Sequence, residues 1–235
     1  MRNLLRFALL VVAVGAIALL VAGPGTRLGA WDLRSGFMLL RWAAYAGVAG
    51  TVLTIVVLFA ARPRGMLLAV VLAALVAGAV TFAVPWEFRQ RAQRLPAIHD
   101  ITTDFDNPPQ FVAVLPLRAG APNSAEYAGR EVAAQQRAAY PDIAPRTLDV
   151  GAAACYERAL NAARASGWEI VAADPLAGRI EATDTTFWFG FKDDVVVRLQ
   201  PHGNQCRVDV RSLSRLGRSD VGKNAARVRA YLGRL

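Results

Sequence analysis

In 235 residues the sequence has two cysteines, two histidines and two lysines. Two cysteines exclude a disulfide-stapled miniprotein. Two histidines, His99 and His202, leave few players for acid–base chemistry near neutral pH. The positive charge is almost all arginine, with only Lys192 and Lys223 besides. With so much alanine, that bias reflects a GC-rich coding sequence as much as a functional choice. No Ser-His-Asp or Cys-His set, zinc spacing, P-loop or dinucleotide fingerprint occurs, so no catalytic residue, metal or cofactor is assigned. Acidic residues are nearly missing from the first 95 positions, where only Asp32 and Glu87 stand against ten arginines.

What is present is apolar. Hydrophobic residues make up 54% of the chain and the mean hydropathy is +0.31, which excludes intrinsic disorder. The formal charge of +9 and pI near 10.5 invite a nucleic-acid reading. The location of the charge removes it. Residues 1–95 carry +8, whereas residues 96–235 hold 17 basic against 16 acidic side chains. The arginines flank hydrophobic runs, as they do beside a bilayer.

Three such runs define a membrane region, residues 1–95, with helices at about 7–22, 42–61 and 66–84. The second and third have about the 20 uncharged residues needed to cross a hydrocarbon core. Arg62-Pro63-Arg64-Gly65 turns tightly between them. The first is introduced by Arg2 and Arg6 and stopped by Gly23-Pro24-Gly25. It suits either a spanning helix or a signal peptide, and the anchor is the simpler reading because two later spans already direct the chain to the membrane. Small residues such as Gly47, Gly50, Ala74 and Gly78 read as generic membrane-helix composition. No Asp, Glu, His or Lys lies within a run, which argues against transport. Three spans put the two ends of the chain on opposite sides. Four arginines on the N-terminal side against six on the other lean toward a cytoplasmic C-terminal domain, while the basic start favours an N-terminus inside.

Residues 96–235 read as an α+β domain. It opens with an irregular arm, 96–146, broken by prolines, with a short extended piece at 111–117 and a helix over 130–139. The arm has too few apolar residues to fold alone and wraps the compact part C-terminal to it. Periodicity there gives a helix over 149–166 ended by Gly167. Four strands come next, at 168–172, 179–189, 195–199 and 206–210, with turns between. Ser219 or Asp220 caps a last helix with a stripe Val221, Ala225, Val228, Leu232. The order α-β-β-β-β-α describes an antiparallel four-stranded meander with helices on one face, a two-layer sandwich.

The segments HDITTDFDNPPQF (99–111), YPDIAP (140–145), GWEIVAADPLAGRIEATDTTFWFGFKDDVVVR (167–198) and RVDVRSLSRLGRSDVGKNAARVRAYL (207–232) resemble the bacterial family catalogued as domain of unknown function 1499. The resemblance covers residues 97–234 and not the membrane region. It implies an exported domain, which outweighs the four-to-six arginine count and makes the domain periplasmic. The family carries no established activity, so no catalytic role transfers.

Five residues stand out as a ligand site. Trp188 lies in the aromatic stretch 185–191, where alternation stops every ring from facing inward; it suits a ligand or bilayer contact. Arg211, Arg215, Arg218 and Lys223 surround the start of the last helix, an arrangement suited to an anion. Residues 205–235 carry +6 and 96–204 carry −5, so the domain is polarised. Asp193 and Asp194 are adjacent in a strand and face opposite ways; pairing with Arg215 or Arg218 is expected rather than joint catalysis. His99, Asp100, Asp104 and Asp106 lack the glycine and distal carboxylate of a calcium loop and read as turn-capping groups of the arm. Cys155 and Cys206 fall on inward faces. They form a disulfide if the domain is exported and otherwise remain two small buried hydrophobes.

The expectation is therefore a membrane-anchored, non-enzymatic protein of the bacterial inner membrane. Its partners are the bilayer and an envelope protein or anionic lipid, not nucleic acid. The alternative is a hydrolase using acidic residues of the hairpin and arm.

Overall fold

A computed structural model describes residues 2–235. The chain divides into two compact units.

The first unit contains the helical region up to Arg91 together with Phe187–Gly190. Its helices are α1 (Arg2–Arg27), α2 (Leu33–Ala61) and α3 (Met66–Arg94). Each is long and apolar enough to cross a membrane. Each also outruns its apolar stretch. α1 continues through Pro24 and α3 through Pro85, where the sequence suggests stops. A helix loses only one donor at a proline, and Pro24 sits in the last turn of α1, where its own carbonyl accepts from Leu28 N at 2.9 Å. Beyond Pro85 the residues are good helix formers, and Arg91 pairs with Glu87 one turn back at 2.5 Å. α2 begins well before Trp42 because Asp32 caps it, accepting from Ser35 N at 2.8 Å.

The small residues form the packing faces, contrary to their reading as generic composition. Buried positions run Ala8, Val12, Gly15, Leu19, Ala22 on α1. They run Gly36, Leu40, Ala43, Gly47, Gly50 on α2 and Val71, Ala74, Gly78, Thr81 on α3. Spacings of three and four keep one seam toward the neighbour. A Cβ on Gly47 would stand 2.8 Å from Gly78 O, and one on Gly15 2.9 Å from the Ala46 Cβ, so the backbones are nearly in contact. The threonine hydroxyls are satisfied locally: Thr54 donates to Gly50 O and Thr81 to Ala77 O, each at 2.7 Å. Phe187–Gly190 complete the unit. Trp188 packs on Gly23, the Phe189 ring lies tilted against Phe37 with centroids 5.4 Å apart, and Arg27 donates to Phe187 O at 2.6 Å.

The second unit is the α+β domain. Its meander is β3 (Glu169–Asp174), β4 (Arg179–Thr185), β5 (Lys192–His202) and β6 (Gln205–Ser214). β4 is shorter than expected, ending at Thr185 because Phe187–Gly190 leave the sheet. The β3–β4 turn is held by Asp174, which accepts from Ala177 N at 2.9 Å, and by Gly178 at φ +60°. A side chain there would meet Leu199 O at 2.6 Å.

The arm contributes two short strands that the sequence reading leaves irregular. β1 (Asp100–Thr102) and β2 (Arg146–Leu148) lie along the free edge of β6, pairing Ile101 with Ser212 and Thr147 with Arg207. The sheet thus has six strands, ordered β1-β6-β5-β4-β3 with β2 also on β6. Residues 111–117 are not extended but turn into a 3-10 segment at Pro116–Arg118. The arm helix α4 (Arg130–Ala139) forms where expected. Its buried Gln136 receives Thr102 N at 3.0 Å and donates to Thr102 O at 2.7 Å, closing the β1 edge.

One face of the sheet is covered by α5 (Ala152–Ala165) and α6 (Lys223–Leu232). Ile180, Val195, Val197, Leu199, Val208 and Val210 point into this core. Trp168 stacks on Tyr231 at 4.9 Å, and the Tyr231 hydroxyl donates to Ala159 O. The other face meets the arm, with Phe111 and Val114 against Val196 and Leu213.

Candidate functional site: the charged face beneath the arm

Alternation along β4, β5 and β6 places Glu181, Thr183, Asp194, Arg198, Asp209 and Arg211 on the face opposite the helices. Such a row ordinarily faces water. Here the arm buries it, and Glu181, Asp194, Asp209 and Arg211 are fully inaccessible. Burial of charge requires partners, and each has them.

Arg211 forks onto Asp100, with Nε to Oδ1 at 3.0 Å and Nη2 to Oδ2 at 2.8 Å. It also donates to Pro109 O and Ala125 O and lies 5.0 Å from the Phe111 ring centre and 5.5 Å from that of Tyr127. Burial pushes the Tyr127 phenol up to about 12, with the Asp100 charge adding to the effect. Asp194 holds two arginines: Arg118 Nη1 at 2.6 Å, and Arg215 through Nε at 2.9 Å and Nη2 at 2.7 Å. Thr183 donates to it at 2.7 Å. Burial works against this ion, but the hydrogen bonds from Arg215, Thr183 and Arg118 outweigh it and hold the carboxyl below the usual carboxylate range. Glu181 receives the backbone N–H groups of Val112 and Val114 and pairs with Arg179. Asp104 and Asp209 share Arg198 and Arg207.

These pairs fasten the arm to the sheet. Asp100, Asp104 and Arg118 belong to the arm, and their partners Arg211, Arg198, Arg207 and Asp194 belong to β5 and β6. This is also where the aspartates of the 99–106 stretch go. Asp104 additionally caps Asp106 N and Asn107 N, as expected for turn-capping groups.

Of the four candidate ligand residues in this unit, two are taken up by ion pairs within it. Arg211 is fully buried and committed to Asp100, so it cannot reach a surface ligand. Its position on β6 is legible in the sequence, but its burial depends on an arm partner 111 residues away. Arg215 is consumed by Asp194, which leaves its side chain 16% exposed. Trp188 belongs to the first unit. Arg218 and Lys223 remain exposed. α6 starts at Lys223, later than expected, with Gly222 at its N-cap and Val221 outside it. The Asp220 side chain still serves this end, accepting from Gly222 N at 2.8 Å and Asn224 N at 2.6 Å. Those donors are therefore taken, and an anion would be met by side chains alone. Burial raises the Asp220 carboxyl despite these bonds.

Asp193 and Asp194 face opposite ways. Asp193 turns to the helix side and meets Arg227 at 2.6 Å, which also reaches Asp184. The sequence reading misses Arg118, Gln136, Asn224 and Arg227, polar side chains that the fold buries. Asn224 bridges Ser212, Ser214 and His99 O. Cys155 on α5 and Cys206 on β6 are joined by a disulfide with Cα atoms 6.3 Å apart, 51 residues apart in sequence. Both are buried in the helix-side core.

The family model described as "Protein of unknown function (DUF1499)" matches residues 100–235, from the first residue of β1 onward. No curated protein matches the chain. The arm from Asp100 onward, the six-stranded sheet and the three domain helices fall inside that match, and the chain belongs to the DUF1499 family.

Proposed function

We propose that the chain holds its DUF1499 domain on the oxidising, periplasmic side of a bacterial inner membrane, where the domain binds an anionic envelope partner without chemical turnover. The observation that carries the location is the Cys155–Cys206 bridge. Such bonds form and persist in oxidising compartments and are rare in reducing ones. The three apolar helices supply the anchor. The exposed pair Arg218 and Lys223 supplies the contact. Arg218 stands beside residues 98 and 99 of the arm, since Asp220 N donates to Ile98 O at 3.2 Å and His99 Nδ1 lies 3.3 Å from Arg218 O. The buried carboxylates beneath the arm are already saturated by arginine, which suits them to structure rather than to proton transfer.

Fusing alkaline phosphatase or green fluorescent protein to the C-terminus of the full chain tests the location. Phosphatase activity with a dark fluorescent fusion is the expected result. The reverse pattern overturns the periplasmic placement. Charge reversal at Arg218→Glu with Lys223→Glu should then abolish salt-sensitive capture of anionic envelope components by the full chain. Unchanged capture removes these two residues from the reading.

A further inference from the structure

The helical unit carries a basic stripe that lies outside the seams between its helices. On α2, Arg34, Phe37, Met38 and Arg41 recur at intervals of three and four residues and share one exposed face. Seven residues separate the two arginines, about 10 Å along the axis. Arg41 is the last charge before the uncharged run 42–61. Phe37 and Met38 stand one turn outward from it, and they remain 39% and 47% exposed even with Phe189 against one side of Phe37. Tyr45 stands one turn inward, 58% exposed, with its ring edge-on to Trp42 at 5.7 Å. A guanidinium is therefore set between apolar surface on both sides, at the level where interfacial aromatics collect.

Among the described residues of this unit Arg41 has no ion-pair partner. Of the two acids in the first 95 residues, Asp32 caps α2 and lends its charge to Arg34, and Glu87 pairs with Arg91. An arginine beside exposed apolar surface at a membrane boundary needs an anion or must extend to water. Phosphate fits a guanidinium through paired hydrogen bonds. A ligand with a phosphate and acyl chains satisfies both halves of the stripe.

We infer that Arg34 and Arg41, with Phe37 and Met38 between them, form a binding site for an anionic phospholipid. Arg41 takes the phosphate, Arg34 takes the outer headgroup, and the apolar pair packs against the glycerol and first methylenes. This goes beyond the proposed envelope-binding role of Arg218 and Lys223. It holds on whichever side of the membrane the domain lies, so its failure and the failure of the export reading are separate results.

The test is native mass spectrometry of the full chain released from nanodiscs of phosphatidylcholine containing phosphatidylglycerol. The wild type should retain phosphatidylglycerol in preference to phosphatidylcholine. Arg34→Gln with Arg41→Gln should lower that preference by about tenfold or more, for the lost charge-assisted guanidinium–phosphate hydrogen bonds. Arg62→Gln with Arg64→Gln, in the α2–α3 turn, should leave it unchanged. Equal losses in both double variants mean generic charge attraction and overturn the site. Unchanged retention in the Arg34/Arg41 variant overturns it as well. If that variant fails to fold, Arg41→Lys decides: it keeps the charge and loses the paired geometry, so retention should fall part of the way, and wild-type retention refutes the phosphate assignment.

Discussion

The two faces of the domain's sheet are buried by different physics. On the helix side, α5 and α6 cover Ile180, Val195, Val197 and Val208, and water leaves an apolar layer. That burial contributes roughly 25 cal/mol per Å² and is insensitive to direction. On the arm side, Asp100–Arg211 and Arg118–Asp194–Arg215 are buried in fixed hydrogen-bond geometry. Desolvation there offsets most of the Coulomb gain. The first face stabilises; the second determines where the arm goes. An apolar arm could slide on an apolar sheet, whereas a fork on Asp100 admits one register.

The largest test breaks the charged face. Arg211→Ala strands Asp100 without water and should cost up to about 5 kcal/mol. Urea unfolding of the full chain in detergent, read by proteolysis of the domain, measures it. Asp100→Leu with Arg211→Met should recover most of the loss. If the double variant stays as unstable as the single, the pair is a net source of stability and the contrast between faces fails.

The apolar side is tested by its covalent staple. Closing a loop of this length in the unfolded chain accounts for about 4 kcal/mol in the entropic account. Cys155→Ala with Cys206→Ala should lower the denaturation midpoint by that measure, and dithiothreitol should do the same to the wild type. An unmoved midpoint would mean that the bridge adds nothing to this core.

A smaller effect is expected at the sheet edge. Gln136→Ala leaves Thr102 N and O unpaired, at about 1–3 kcal/mol for each group that finds no water. Hydrogen exchange should speed up at Thr102 more than at β5 amides. Uniform acceleration would show that Gln136 holds the whole domain rather than the edge.

The gentlest probe is acid. The Asp194 carboxyl is depressed in the folded state, so its contribution is present above the ordinary aspartate range and is lost as pH falls through the folded value. Asp194→Asn leaves Arg118 and Arg215 without their carboxylate and lowers stability at neutral pH, but the pH-dependent part of its effect is a flatter acid limb of the stability-against-pH curve, with the slope near neutral pH unaltered. An acid limb identical to wild type would place the sensitivity in another carboxylate.

The helix side is largely legible in the sequence. Ala152, Cys155, Ala159 and Ala163 recur at helical spacing, and Val195, Val197 and Leu199 alternate, so α5 and β5 can be read directly. The opposite direction of Asp193 and Asp194 also comes from alternation. β1 and β2 do not, because three residues carry no period. The buried charges escape for a related reason. Asp194, Arg198, Asp209 and Arg211 alternate as a solvated face would, and only the arm's path over them turns that pattern into an interior. Arg211 thus reads as a ligand residue. The glycine seam of the helices is visible as composition, but which glycines meet depends on the neighbouring helix.

The tip Phe187–Gly190 sets an order of assembly. Trp188 fills the space left by Gly23, and Arg27 binds Phe187 O across 160 positions of sequence. At roughly 5–20 residues per second, the ribosome delivers that partner about 10–30 s after α1. The helical unit therefore remains unfinished through most of its own synthesis, with the notch at Gly23 open. Membrane insertion and completion of the bundle are separate events in time, and a chain cut after α3 would insert yet never receive its last piece.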